Sequence, residues 1–154
     1  MDHEAYMREA VALGREALAD GDVPVGCVIV DREGQIIGRG RNRREADGDA
    51  TAHAELEAIR DACRTVGSWR LHGASLYVTL EPCPMCAGGI INARLSAVYY
   101  GAKDDKAGCC GSVLNLFEER FNHKPRIQGH ILEAECAALL QDFFSGLRTE
   151  SKNF

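Results

Sequence analysis

At 154 residues the chain is long enough for one domain with a full core and too short for two ordinary ones. Its 45% hydrophobic and 27% charged residues exclude a disordered chain, and no apolar run approaches the roughly 20 residues that span a bilayer. A formal net charge of −5 excludes coating of nucleic acid by bulk charge, while leaving room for local basic patches.

Residues 3–19 place Tyr6, Met7, Ala10, Val11, Leu13, Ala17 and Leu18 on one face of an amphipathic helix, stopped by Asp20-Gly21-Asp22. Residues 25–30 are β-rich with little polar alternation, which predicts a strand covered on both faces. Asp31-Arg32-Glu33-Gly34 reads as a hairpin turn into a second strand at 35–40. The polar stretch 41–51 predicts a loop. From His53 the pattern Ala54, Leu56, Ala58, Ile59, Ala62, Cys63, Val66 predicts a helix, with Thr51 available to cap it.

Residues 75–80 read as a strand. Pro84 then opens a helix to about residue 93, since its missing N–H costs nothing in a first turn. A strand at 96–101, a loop at 102–112 and a short helix at 113–117 follow. A short strand at 125–131 and an apolar helix at 133–148, ending near Gly146, complete the order. Strand–helix alternation of this kind predicts an α/β fold, a sheet of about five strands in a three-layer α/β/α sandwich, with residues 1–154 as one domain.

Two fragments carry the chemistry. Thr51-Ala52-His53-Ala54-Glu55 and Leu80-Glu81-Pro82-Cys83-Pro84-Met85-Cys86 together read H-x-E…P-C-x-x-C. A catalytic zinc takes three protein ligands and leaves one position for water; His53, Cys83 and Cys86 supply one imidazole and two thiolates. Unpaired N–H groups at a helix start favour the thiolate form of Cys83 and Cys86. Glu55, two residues after His53, is not a ligand and is the general acid/base, working on a water whose pKa the metal lowers towards about 7. The bland readings are a disulfide between Cys83 and Cys86, or a structural zinc staple. A staple is normally closed by a fourth ligand, and Cys109, Cys110, His72 and His123 form no second paired motif. Seven cysteines, an odd number, and an acidic, polar start at Met1-Asp2-His3-Glu4 lead us to expect a reducing cytoplasm.

At these residues the chain resembles the zinc-dependent cytidine-deaminase-like superfamily, and within it the bacterial tRNA-specific adenosine deaminases. The signature is itself defined on this group, so motif and resemblance are one observation rather than two. The likeness extends to Val23-Pro24-Val25-Gly26, Gly40-Arg41-Asn42-Arg43, Tyr100-Gly101-Ala102-Lys103-Asp104, Gly111-Ser112 and Glu135-Cys136-Ala137-Ala138-Leu139-Leu140. It implies deamination of adenosine to inosine at the wobble position of a tRNA anticodon, by one zinc per chain held by His53, Cys83 and Cys86, with Glu55 moving the proton. It further implies that Asn42 bonds the target nucleotide, that Val25, Leu80 and Ala102 line the pocket, and that Asp104 contacts nucleic acid.

With an RNA substrate, Arg41, Arg43, Arg94, Lys103, Lys106, Arg120, His123, Lys124 and Arg148 become candidate RNA contacts, and splayed anticodon bases can enter pockets. The family is homodimeric, and Met85, Ile90, Ile91 and Asn92 lie on a helix that could face a partner subunit. One departure is Cys109-Cys110, where small residues are expected; if exposed, the pair would be prone to oxidation. His3 and His72 read as surface residues, and His130 as in or beside a strand. Two rivals share the motif. One is a deaminase of a free base or nucleoside, guanine or cytosine, and the other a non-catalytic RNA-binding module stapled by zinc.

Overall fold

The computed structural model describes the backbone of residues 2–152 and the side chains of residues 2–146. In chain order the elements are α1 (His3–Ala19), β1 (Gly26–Val30), β2 (Ile36–Arg41), α2 (Arg44–Asp47) and α3 (Ala54–Val66). There follow β3 (Ser75–Leu80), α4 (Pro84–Asn92), β4 (Ala97–Ala102), a 3₁₀ turn at Leu116–Glu118, β5 (Arg126–Gln128) and α5 (Glu133–Lys152). The strands form one mixed sheet in the order β2-β1-β3-β4-β5. β1 is antiparallel to β2 and β3, while β3, β4 and β5 run parallel.

Alternation on the central strands decides the layering. Cys27 and Ile29 of β1, with Leu76 and Val78 of β3, join one hydrophobic cluster; Val28, Val30 and Tyr77 join another. Successive side chains of a strand point to opposite faces, so this sheet must be covered twice. Ala54, Ala58 and Ala62 of α3, with Ala87, Ile90 and Ile91 of α4, cover the first face. Met7, Ala10 and Val11 of α1, with Cys136 and Leu139 of α5, cover the second. This is the expected three-layer sandwich of about five strands. The approach of α3 to β2 is close enough to require glycine: a Cβ at Gly38 would lie 2.5 Å from the Ala58 carbonyl oxygen, and one at Gly40 2.3 Å from that of Ala54.

The register sets the site. Gly26 pairs with Arg41 and Leu80 with Ala102. The start of β1 and the ends of β2, β3 and β4 therefore share one edge of the sheet, the edge where ligands bind in open α/β folds.

Several expectations need correction. The 41–51 segment contains α2, whose Glu45 and Ala46 N–H groups donate to the buried carboxylate of Asp22 at 2.7 and 3.1 Å. Thr51 does not cap α3; its hydroxyl donates to Asp49, and His53 stands at the N-cap. The short helix expected at 113–117 is the 3₁₀ turn at Leu116–Glu118, β5 has three residues, and α5 continues through Gly146. Cys109 and Cys110 are 1% and 9% exposed, so this pair is shielded rather than open to oxidation. His3 is half-buried, bonded to the Tyr77 hydroxyl at 2.6 Å and stacked on Tyr99. Ile90 and Ile91 are buried in the chain's own core and offer no face to a partner, whereas Met85 and Asn92 are not buried. Among the described residues, no helix is long and apolar enough to cross a membrane.

Candidate active site

Two helix starts converge at the edge of the sheet. His53 is the N-cap of α3 and Cys83 the N-cap of α4, both in extended backbone, and neither side chain caps its own helix. They turn instead to a common centre. His53 Nδ1 lies 3.6 Å from the Sγ of Cys83 and 3.6 Å from that of Cys86, in the first turn of α4. All three donor atoms lie within 4.8 Å of one another. Zinc bonds of about 2.05 Å to nitrogen and 2.3 Å to sulfur, tetrahedrally arranged, separate N and S by about 3.6 Å. The donor set therefore fits zinc in both chemistry and spacing.

The electrostatics of the cluster favour a cation. The hydrogen bond from the Cys86 thiol, with help from His53 and the Cys86 N–H, overcomes burial and draws Cys83 down to about 4. The same thiol contact, reinforced by burial and Glu55, pushes Cys86 well above the usual range. The bond to Cys83 raises His53. Glu55 is the second residue of α3 and only 4% exposed; desolvation raises its carboxyl to about 7. His53 stands outside the helix and Glu55 inside its first turn, so residues two apart reach the same cavity despite the helical period.

That cavity measures about 510 Å³. His53, Glu55 and Cys83 lie on its wall with Val25 and Leu80. Asn42, just past β2, is buried on the wall as well: its Nδ2 donates to the Val23 carbonyl at 3.3 Å, and its Oδ1 has no partner among the described residues. Lys103, Asp104 and Lys106 arrive from the loop after β4, Arg44 from α2, and Leu140 and Phe144 from α5. Among the described residues, no carboxylate pairs with Arg44, Lys103 or Lys106. Ala102, expected on the wall, is not there; at the end of β4 it is buried in the second hydrophobic cluster. The polar Lys103 and Asp104 that follow take that place.

Comparison with known proteins matches the cytidine and deoxycytidylate deaminase zinc-binding region to residues 1–102. Over 150 residues the chain is 48% identical to the tRNA-specific adenosine deaminase of Bacillus subtilis (strain 168), covering 97% of this chain and 92% of that one. The chain belongs to the tRNA-specific adenosine deaminase family. A structure from work on A-to-I editing by tRNA:A34 deaminases at the wobble position superposes with a TM-score of 0.85 at 42% identity, covering 88% of this chain and 99% of that one. The guanine deaminase of Bacillus subtilis gives 0.65 at 35% identity, covering 97% and 95%.

As a member of this zinc-binding deaminase family, the chain holds His53, Cys83 and Cys86 in position to bind the metal. Among the described residues, the other basic candidates do not line the cavity. Arg41 pairs with Glu16 and Asp20, and Arg43 with Asp47. Arg94, at φ 62°, donates to the Ile91 carbonyl and lies over Trp69. His123 Nε2 is 2.6 Å from the Leu95 carbonyl oxygen, Lys124 donates to the Glu118 carbonyl, and Arg120 is exposed. The side chain of Arg148 lies outside the described residues.

Sequence reasoning assigned no role to Arg44, Val23 or Glu81. Arg44 is one of three arginines within residues 41–44, and nothing in that stretch says which one its neighbours leave unpaired. Glu81 left a fainter signal: an acidic residue between an apolar strand and Pro82. Burial alone would raise its carboxyl, but bonds from the Ser112 hydroxyl and the N–H groups of Asp104, Cys110 and Ser112 outweigh it and hold Glu81 below the usual range.

Proposed function

We propose that this chain hydrolyses adenosine to inosine at the wobble position of a tRNA anticodon. The observation that carries the reading is the pairing of a largely apolar cavity at the His53, Cys83 and Cys86 set with Arg44, Lys103 and Lys106 on its walls, three cations that no carboxylate among the described residues pairs. A free base needs the cavity alone, whereas a nucleotide within a strand also brings phosphates to be met. Identity of 48% to a tRNA-specific adenosine deaminase along nearly the whole length supports the same reading.

In this mechanism His53, Cys83 and Cys86 would hold one zinc ion, which would supply an activated water for attack on the amino-bearing ring carbon. Glu55 accepts a proton at its carboxylate and delivers it to the departing amine. Asn42, on the cavity wall, bonds a donor on the nucleotide through Oδ1, which has no partner among the described residues and is uncovered as the base enters. Val25 and Leu80 flank the base, Asp104 meets the nucleotide's polar edge, and Lys103 and Lys106 meet the flanking phosphates. Residues 1–154 act as one deaminase domain in the cytoplasm. Two chains form a homodimer, which sedimentation would detect as twice the 16.8 kDa of one chain.

Guanine deamination is the second reading, favoured by 35% identity to a guanine deaminase across 97% of this chain. One assay separates them: purified protein is given an anticodon stem-loop with wobble adenosine, alongside free guanine, cytosine and cytidine. Inosine in the RNA is the expected product. Turnover of a free base with no inosine in the RNA would replace the tRNA reading.

A further inference from the structure

Glu81 follows β3 directly, between Leu80 on the cavity wall and Pro82-Cys83 at the metal-binding helix start. It is only 2% exposed, and among the described residues no cation pairs with it. Four donors satisfy it instead. Its Oε1 accepts from the Asp104 N–H at 3.0 Å and the Ser112 hydroxyl at 2.5 Å. Its Oε2 accepts from the N–H groups of Cys110 at 2.8 Å and Ser112 at 3.2 Å.

All four donors come from one loop, residues 103–112, which also carries Lys103, Asp104, Lys106 and Ala107 onto the cavity wall. The loop is wound tightly round the carboxylate. Asp104 Oδ1 accepts from the N–H groups of Lys106 and Ala107, and the Asp104 carbonyl accepts from Gly108 N–H. Cys109 N–H donates to the Pro82 carbonyl at 2.8 Å, tying the loop to the residue before Cys83. Gly108 passes so close that a Cβ there would lie 2.3 Å from Glu81 Cδ. A buried carboxylate with every donor drawn from one segment is a local organising centre, because leaving any of those groups unpaired is costly.

We propose that Glu81 is a positioning residue: it locks the 103–112 loop onto the strand end leading into Cys83, fixing the substrate-contacting wall relative to the metal-binding helix start. This rests on the tRNA reading for its substrate. Glu81 touches no reacting atom in this scheme, so its removal should loosen the wall and weaken substrate capture while leaving the metal and the proton transfer in place.

Glu81→Gln tests this without changing shape. In either amide orientation, one NH₂ opposes at least one backbone N–H, since Ser112 can turn its hydroxyl to accept but the amides cannot. The expected result is unchanged zinc per chain, faster hydrogen exchange across residues 103–112, and KM for the stem-loop raised about tenfold, with kcat held within about threefold. Wild-type KM and exchange in the zinc-replete variant would overturn the proposal, even if Tm fell. A collapse of kcat with unchanged KM would also overturn it, because Glu81 would then act in the chemistry. Should Glu81→Gln fail to fold, Ser112→Ala removes the hydroxyl donor alone and should shift exchange and KM in the same direction by about threefold; no shift in either would refute the lock. If wild type forms no inosine, the tRNA reading fails, and exchange across 103–112 still decides the role of Glu81.

Discussion

Asn42→Ala should raise stability while lowering activity, and the opposite signs make it a sharp test. In the folded chain Asn42 Nδ2 donates to Val23 at 3.3 Å, and Oδ1 is buried with no partner among the described residues. Losing the first costs about 1 kcal/mol, and removing an orphaned buried acceptor relieves about 1–3 kcal/mol. The net is a gain of about 0–2 kcal/mol, or an upward Tm shift of roughly 0–8 °C for a chain of this size. In catalysis, Oδ1 would no longer accept from the nucleotide, and kcat/KM for the stem-loop should fall about 10- to 100-fold. Calorimetry and inosine read-out on the same preparations decide it. A Tm drop of several degrees with unchanged kcat/KM would mean that Asn42 is a structural residue whose free oxygen serves no substrate.

Glu55→Ala should keep about one zinc per chain while losing on the order of 10²–10⁴ in rate, because in the proposed mechanism the carboxylate moves protons and binds no metal; substantial activity would refute that role. Cys83→Ala should lose zinc and stability together, and metal analysis showing normal content would overturn the ligand set. Asp22→Ala removes the acceptor for two N–H groups of α2 and should cost about 1–3 kcal/mol. KM should rise with it, since α2 carries Arg44 to the cavity; loss of stability with no change in KM would separate α2 from the site. Binding of the stem-loop should weaken as salt rises, and Lys103→Ala with Lys106→Ala should reduce the slope of log K against log salt by about 1.4 in total, about 0.7 for each phosphate no longer neutralised. A slope unchanged in the double variant would move the phosphate contacts elsewhere on the chain.

The metal set was legible because its geometry is local. A histidine at one helix start and cysteines at and just inside another need only their flanking residues to be placed, and Pro84 marks the second start in the sequence. Layering was legible for the same reason, since Val28 and Val30 alternate with Cys27 and Ile29 within a single strand. What escaped depends on partners remote in the chain. α2 is held by Asp22, more than 20 residues upstream, and no helical pattern of four residues announces itself. Arg41 and Arg43 look identical to Arg44 in sequence, yet Glu16, Asp20 and Asp47 engage the first two. Ile90 and Ile91 read equally well as a core face or a partner face until α4 is laid on the sheet. Cys109 and Cys110 sit in a loop by pattern, but that loop is folded over Glu81 so that these two side chains are shielded from solvent.

The two kinds of information correspond to two kinds of support in the molecule. His53, Cys83 and Glu55 stand at helix starts backed by the sheet, where packing by Ala54, Ala58, Ala87 and Ile90 fixes them. The segments proposed to address the substrate, 42–47 and 103–112, stand on hydrogen bonds to two buried carboxylates, Asp22 and Glu81. Packing tolerates little change, whereas a loop anchored at one carboxylate can be rebuilt between its anchor points without disturbing the metal. Similarity to a guanine deaminase at a TM-score of 0.65, against 0.85 for the A34 deaminase structure, fits a shared core carrying different loops. Substrate choice should therefore follow the 42–47 and 103–112 segments, and exchanging them between two such enzymes while retaining Asp22 and Glu81 should carry specificity across with zinc content unchanged. A chimera that keeps its zinc and its original substrate would instead locate specificity in the sheet and helix walls.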